Sequence, residues 1–422
     1  MFDGWLGNRH PWPMKKSGLM NLGLALAVSL ACSCSKKPKK DPLKVTQADV
    51  AKPAAVISQE EAEKFGEDFE AALRAETPNE LGQLLDLAGL FYRIFPKDVV
   101  DDNRQLKRAR LGWEPEMRHS VQLVLGTFRV EFLRAVKDAD GMKARFRLSG
   151  QGVNYWDVLL SRNAAGQVCL VDYMGYTEGE YLSETQRRLF QQLIPGLLRG
   201  TRSKALADAE LRSIHQLKEL TAFLQKGQFE SFLQAYDHLD PAMQQQRTIL
   251  YYRVMAANAI AAKDPDPGPV TIRVYSKAVD EYRREFPAAS NLELMQLDFH
   301  FLNKDYRAVI KVVDQLDRRV GGDPYLDLLR GNALHAMNEP ALAKAKLRAV
   351  EKSCPWEKDV YNALLAISFE EKDFIETTRL LIATEKNTEQ VWDANFNGAE
   401  LFDAYRASKE FAKWQAYVRG RK

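Results

Sequence analysis

Three short segments spaced 34 residues apart constrain the C-terminal half of this chain more than any other feature. Lys304-Asp305-Tyr306-Arg307-Ala308-Val309, Asn338-Glu339-Pro340-Ala341-Leu342-Ala343 and Lys372-Asp373-Phe374-Ile375-Glu376-Thr377 put their third residues at 306, 340 and 374. A fixed period of this length marks an array of small supersecondary units. None can bury its apolar side alone, so each stacks on its neighbours. Gly227-Gln228-Phe229 and Val274-Tyr275-Ser276-Lys277-Ala278 read as two further starts of a second helix. Between them Asp264-Pro265-Asp266-Pro267-Gly268-Pro269 places three prolines within five residues, which no helix can continue, so the period is interrupted there by a loop.

The best unit contains Gly331-Asn332-Ala333-Leu334, then Pro340, Ala343 and Pro355; in the next, Tyr361 and Leu364 hold the large apolar positions, while Leu365 and Thr377 stand where small residues are expected. This pattern resembles the tetratricopeptide repeat (TPR) family, whose unit is a 34-residue helix–turn–helix. The resemblance implies an all-α TPR-like solenoid over residues 205–420, closed by a pair from about Gln390 to Val418 containing Phe411 and Trp414. It also implies a groove, lined by the first helix of each unit, that holds a protein or peptide. By the family's geometry Leu328, Asn332, His335, Asn362, Ala366 and Phe369 point into that groove. The family variant that grips a C-terminal carboxylate needs a lysine where this chain has Ala336, so that specificity is not carried over. Self-association through the repeats is an alternative use of the same surface.

Residues 58–200 read differently. Ser58 with Glu61, and Thr77 with Pro78 and Glu80, are helix starts by capping chemistry. The first helix lines up Ala62, Phe65, Phe69 and Leu73, and the second Leu81, Leu84, Leu85 and Leu90 before Pro96. From Phe128 the period becomes two. Met142, Ala144, Phe146 and Leu148 alternate with Lys143, Arg145 and Arg147, predicting a strand with one face on a core and one in water. Phe128–Val136, Val153–Leu160 and Gln167–Met174 are its neighbours, joined by turn-forming segments into a four-stranded antiparallel meander. A helix from about Ser183 to Leu198 follows.

Helices followed by such a meander, ending in Gly166-Gln167-Val168-Cys169-Leu170-Val171-Asp172-Tyr173, resemble the cone-shaped α+β fold of the ketosteroid isomerase and nuclear transport factor families. That superfamily holds enzymes, ligand binders and interaction modules, so fold alone does not choose among them. Were the cone a ligand or active site, Tyr155, Asp157, Asp172 and Tyr173 would be its candidates, since a desolvated carboxylate beside a phenol can abstract a proton next to a carbonyl. The reading preferred here is non-catalytic, with strand polars of this spacing serving the sheet; the alternative is a small-ligand receptor or enzyme using this domain.

At the N-terminus Lys15 and Lys16 precede an uncharged stretch from Ser17 to Ala31, the charged and apolar regions of a secretory signal whose natural start is Met14. Ser29-Leu30-Ala31-Cys32-Ser33-Cys34 resembles a bacterial lipobox. The resemblance implies a signal over residues 1–34, acylation at Cys32 (alternatively Cys34), and a membrane anchor facing the periplasm of a bacterial cell envelope. The segment 35–57, with Lys36, Lys37, Lys39 and Lys40, has the composition of a basic tether. The remaining cysteines, Cys169 and Cys354, are 185 residues apart and form no metal or disulfide pattern. Nothing nominates a metal or cofactor: there is no Gly-rich phosphate loop, HExxH or GxSxG. With 60 Lys and Arg against 57 Asp and Glu, the net charge of +3 provides no broad electrostatic footprint for nucleic acid.

Overall fold

A computed structural model describes residues 56–75, 78–150, 152–193, 204–264, 267–396 and 402–420. The signal segment, Cys32, Cys34 and the tether as far as residue 55 lie outside the described residues. So do Thr77 and residues 397–401. The described residues form two compact units, one made of 56–261 together with 273–292, the other of 262–272 and 293 onward.

In the first unit, α1 (Gln59–Arg74) opens on a capping box: the Ser58 hydroxyl accepts from the Glu61 N–H and the Glu61 carboxylate accepts from the Ser58 N–H. Ala62, Phe65 and Phe69 form its buried side. The second expected helix is two. α2 (Pro78–Gln83) stops at Leu84, and α3 (Leu87–Ile94) starts after the Asp86 cap. The break exists because the backbone leaves the helix to pair with the sheet: the Leu170 N–H donates to the Leu84 carbonyl and the Asp86 N–H to the Leu170 carbonyl, both at 2.8 Å. Pro96 then introduces α4 (Lys97–Asp102), and α5 (Arg104–Leu125) leads to the sheet.

The sheet is antiparallel in the order β1 (Arg129–Asp138), β2 (Gly141–Ser149), β3 (Asn154–Arg162), β4 (Val168–Gly175), β5 (Glu180–Tyr181). It has one strand more than the meander expected, because the chain turns back over residues 176–179. Phe146 packs between Phe69 of α1 and Phe132 of β1, with ring centroids 5.2 and 5.6 Å away, and Ala144, Leu148 and Val158 are fully buried beside them. The domain's interior is thus filled by its own side chains.

The other face corrects the expectation of a solvated surface. Lys143, Arg145 and Arg147 are buried as well. Each is neutralised across or along the sheet: Lys143 by Asp138 and Asp140, Arg145 by a bidentate pair with Asp157 (2.7 and 2.9 Å), Arg147 by Glu131. Strict alternation reported two chemically different faces; it did not report that both are covered. α6 (Leu182–Leu193) follows β5, then α7 (Lys204–Gln225), α8 (Phe229–Asp237), the short α9 (Pro241–Gln244), α10 (Arg247–Ala261) and α11 (Pro269–Glu285). α11 starts at Pro269, not near Tyr275 as its sequence suggested: proline suits the first helical position, so the loop ends six residues earlier.

The second unit is helical: α12 (Leu292–Leu302), whose first residue belongs to the other unit, then α13 (Tyr306–Val320), α14 (Asp327–Ala336), α15 (Pro340–Ser353), α16 (Lys358–Glu370), α17 (Phe374–Asn387), α18 (Asp403–Arg406) and α19 (Lys409–Arg419). From α13 to α17 each helix packs on the next, and α17 packs on α19. Helices α13, α15 and α17 begin at 306, 340 and 374. Lys304, Asn338 and Lys372 carry φ of 60°, 61° and 56°, and the next residue's N–H donates to the carbonyl five residues back at 2.9 Å in all three turns. This left-handed closure satisfies carbonyls that the helix end would otherwise leave unpaired. Gly227 (φ 66°) makes the same turn before α8.

Candidate functional site

The turn from β4 to β5 helps line a small cavity. Gly175, Tyr176, Thr177, Glu178 and Gly179 reverse the chain, and Gly179 has φ 71°. The reversal is held from far along the sequence. Arg247, at the start of α10, reaches the carbonyls of Glu178 and Gly179 at 3.4 and 3.3 Å and Glu180 Oε2 at 3.2 Å; its Nε donates to the Tyr282 hydroxyl at 3.0 Å. The Ser290 hydroxyl donates to the Gly179 carbonyl at 2.7 Å and the Asn291 amide to the Thr177 carbonyl at 2.8 Å. A Cβ on Gly179 would stand 2.8 Å from Ser290 Oγ and 2.9 Å from the Asn291 nitrogen, so only glycine fits this close approach.

Tyr173, Gly175, Glu178, Glu180, Leu182, Thr185, Arg247, Thr248, Tyr251, Tyr252 and Tyr282 surround a partly open cavity of about 30 Å³. That is room for one or two water molecules and far below an organic ligand's needs. Its tyrosines are enclosed by the apolar surroundings of α10, nearly all of whose sides are buried. Glu180 is consumed: Thr185 donates to it at 2.5 Å, and Arg188 and Arg247 both pair with it. Glu178 is less committed. Its Oε2 accepts from the Thr177 hydroxyl at 2.8 Å and folds over Gly175, where a Cβ would lie only 2.0 Å away. Burial pushes the Glu178 carboxyl above the usual range against the Thr177 hydrogen bond, with the Glu180 charge adding to the rise. Burial likewise raises the phenols of Tyr173, Tyr251 and Tyr252. Thr248 Oγ1 and Trp156 Nε1 are buried with no hydrogen-bond partner.

The four candidates read from the strands do not converge. Asp157 is held by Arg145 and lies 3.3 Å from the Tyr176 hydroxyl, while Tyr155 packs its ring on Tyr176. Asp172 is fully buried and takes hydrogen bonds from the Ser183 hydroxyl (2.6 Å) and N–H (3.2 Å) and from Arg93 (2.9 Å). Burial raises its carboxyl, opposed by Ser183 and Arg93. Tyr173 stacks on Trp156 with centroids 4.1 Å apart. Each carboxylate therefore has a resident cation, and neither is placed as a free base beside a phenol.

On the helical unit the six groove candidates separate. Leu328 is wholly buried, and Phe369 is 5% exposed with its ring edge-on to Phe402 and Tyr405 at 5.0 and 5.8 Å. Both are core residues, which corrects their assignment to a groove: large apolar side chains at those positions are needed to join adjacent helices. Asn332, His335, Asn362 and Ala366 remain half-exposed on α14 and α16. His335 Nε2 sits 2.9 Å from Glu370 Oε2, and the Asn362 amide reaches Asp359 at 3.4 Å. On the second helices a four-residue ring joins α15 to α17, with Arg348 and Arg379 each paired to both Glu351 and Glu376.

Sequence reasoning missed Glu178, Arg247, Thr248, Tyr251 and Tyr252. The available signal was the run from Ile249 to Ala261, in which Arg253 and Asn258 are the only residues that are neither apolar nor aromatic, and which so demands enclosure. Among the described residues no group of three or more His, Cys, Asp or Glu is placed to hold a metal ion, and no helix is long and apolar enough to cross a membrane. Cys169 and Cys354 are both buried. Comparison with protein families, with curated proteins and with solved structures finds no match to this chain.

Proposed function

We propose that this chain is a non-catalytic scaffold that holds a protein or peptide segment on the first helices of a TPR-like array, with a lipid on Cys32 anchoring it to a bacterial envelope membrane. The observation that carries the reading is the recurrence, at 34-residue intervals, of one turn geometry at Lys304, Asn338 and Lys372, followed by helix starts at 306, 340 and 374. Stacked hairpins of that kind bury one side of each helix and leave a ribbon of first-helix residues to be shared along the array. Asn332, His335, Asn362 and Ala366 supply that ribbon with hydrogen-bonding groups and low relief, suited to an extended or helical segment. A sheet domain filled by Phe69, Phe132 and Phe146 supports the same reading over a ligand receptor of the cone type.

The test is a pull-down from detergent-solubilised envelope with the full chain, run beside Ala366→Arg and the opposite-face control Leu342→Arg. Leu342 is 56% exposed on α15, so its replacement leaves the fold intact. Recovery of the same partner by the wild type and Leu342→Arg, with loss for Ala366→Arg, is the expected result. Equal recovery by all three would remove the groove from the account. Intact-mass measurement of the mature N-terminus reads the start site and acylation directly.

A further inference from the structure

We propose that the cavity beside Glu178 is a binding site for a primary alkylammonium group, the chemistry of a lysine side chain or a free amine. The inference is independent of the repeat-surface reading, because it rests on the other compact unit. The free space, about 30 Å³, accommodates an –NH3+ head, and it is partly open, so an alkyl stem can trail outward. The walls are tyrosine rings, Tyr173, Tyr251 and Tyr252 among them, whose faces attract a cation. Three donors on an ammonium need three acceptors. Glu178 offers carboxylate lone pairs beyond those Thr177 and Asn154 use, and Thr248 offers a buried hydroxyl that no protein group satisfies.

Charge favours the same occupant. Two carboxylates and one guanidinium line the space, and Arg247 is spent on Glu180, Tyr282 and two backbone carbonyls. The remaining negative charge belongs to Glu178, which has no cationic partner of its own among the lining residues. An anion would meet that carboxylate. A neutral group would leave it uncompensated, whereas an ammonium pairs with it and is desolvated on aromatic surface.

The groups facing Glu178 are Tyr173 from β4, Glu180 from β5, Arg247, Tyr251 and Tyr252 from α10, and Tyr282 from α11. Burial raises the phenols and the Glu178 carboxyl alike, and Glu180 is paired with Arg188 and Arg247. Binding therefore strengthens as pH rises through the Glu178 titration and then levels.

The experiment is an NMR titration of the full chain with n-butylammonium at fixed ionic strength, with n-butanol, tetramethylammonium and sodium as comparison solutes. Saturable binding of n-butylammonium is expected, at least tenfold tighter than either organic comparison solute and about tenfold weaker in Glu178→Gln. Thr248→Val, which keeps the shape and removes the hydroxyl, should weaken it severalfold. Should Glu178→Gln fail to fold, Thr248→Val and the pH profile still decide the matter. A lysine-containing peptide that binds where its norleucine counterpart does not identifies a protein source; binding of the free amine alone identifies a small molecule. Equal binding of n-butanol, indifference to both substitutions, or no saturable response would overturn the assignment.

Discussion

The two compact units solve the same problem, burying one side of each element, by contacts of different reach. In the sheet unit the decisive contacts bridge distant sequence: Arg247 and Asn291 hold a turn 68 and 114 residues earlier, and Arg93 meets Asp172 across 79 residues. In the helical unit they join neighbours: Arg348 to Glu376 across 28, His335 to Glu370 across 35, Asn387 to the Tyr361 hydroxyl across 26. A fold tied by long closures gains its stability all at once, whereas a stack is held by a sum of adjacent interfaces. The units should therefore fail differently, globally in one and locally in the other.

The largest effect is expected where the sheet unit has buried charge. Arg145 and Asp157 side chains are 9% and 5% exposed, and removing one partner strands the other in a dry environment. Arg145→Ala should cost about 3–5 kcal/mol, while Arg145→Met with Asp157→Leu should recover most of it, since the pair is worth little against apolar groups of similar volume. Chemical denaturation followed by near-UV circular dichroism measures both. A single variant as stable as the parent would show that the sheet face carrying Arg145 is wetter than its burial implies.

In the helical unit the corresponding probe is Gly331. A Cβ there would lie 2.6 Å from Leu347 Cγ, where α14 meets α15. Gly331→Ala should cost about 1–3 kcal/mol through overpacking, against about 1 kcal/mol regained from helix propensity. Hydrogen exchange should report lost protection in α13 to α16 and none in β1 to β4. Loss spreading evenly through both units would erase the contrast between them.

How far each unit could be read from sequence follows from the same difference in reach. The starts at Tyr306, Pro340 and Phe374 were legible because the turn before each is a local device: a left-handed residue, then a residue that stops one helix and starts the next. The Ser58 capping box was legible for the same reason. The break at Leu84–Asp86 was not, because its cause is Leu170, 85 residues from Leu85. The burial of Lys143, Arg145 and Arg147 was equally hidden, since alternation is identical for a solvated or a covered charged face, and the partners of the two arginines, Asp157 and Glu131, lie on other strands. The cavity at Glu178 assembles residues from β4, β5, α6, α10 and α11. No spacing rule links those positions, so its chemistry becomes visible only once the chain has folded.

The smallest expected effect distinguishes the units by the sign of a pH slope. For Glu178, burial raises the folded-state carboxyl above its unfolded value, with the Thr177 hydrogen bond opposing. Between those two values the folded chain keeps a proton the unfolded chain has lost, so its stability falls as pH climbs through the window. For Glu376, burial is again the largest influence and again raises the carboxyl, but the hydrogen bond and charge of Arg379, with Arg348, outweigh it and the net shift is downward. Its contribution is present above the unfolded value and is lost as pH falls through the folded one. Glu178→Gln should thus leave neutral-pH stability unchanged or slightly raised and flatten the falling limb. Glu376→Gln, at a partly exposed ring of charges, should lower it by under about 1 kcal/mol and remove an acid-side loss. Thermal unfolding of both variants from pH 4 to pH 8 measures the slopes. Slopes of one sign would mean that the two carboxyls share an environment, and that the ring joining α15 to α17 does not outweigh the cost of burying Glu376.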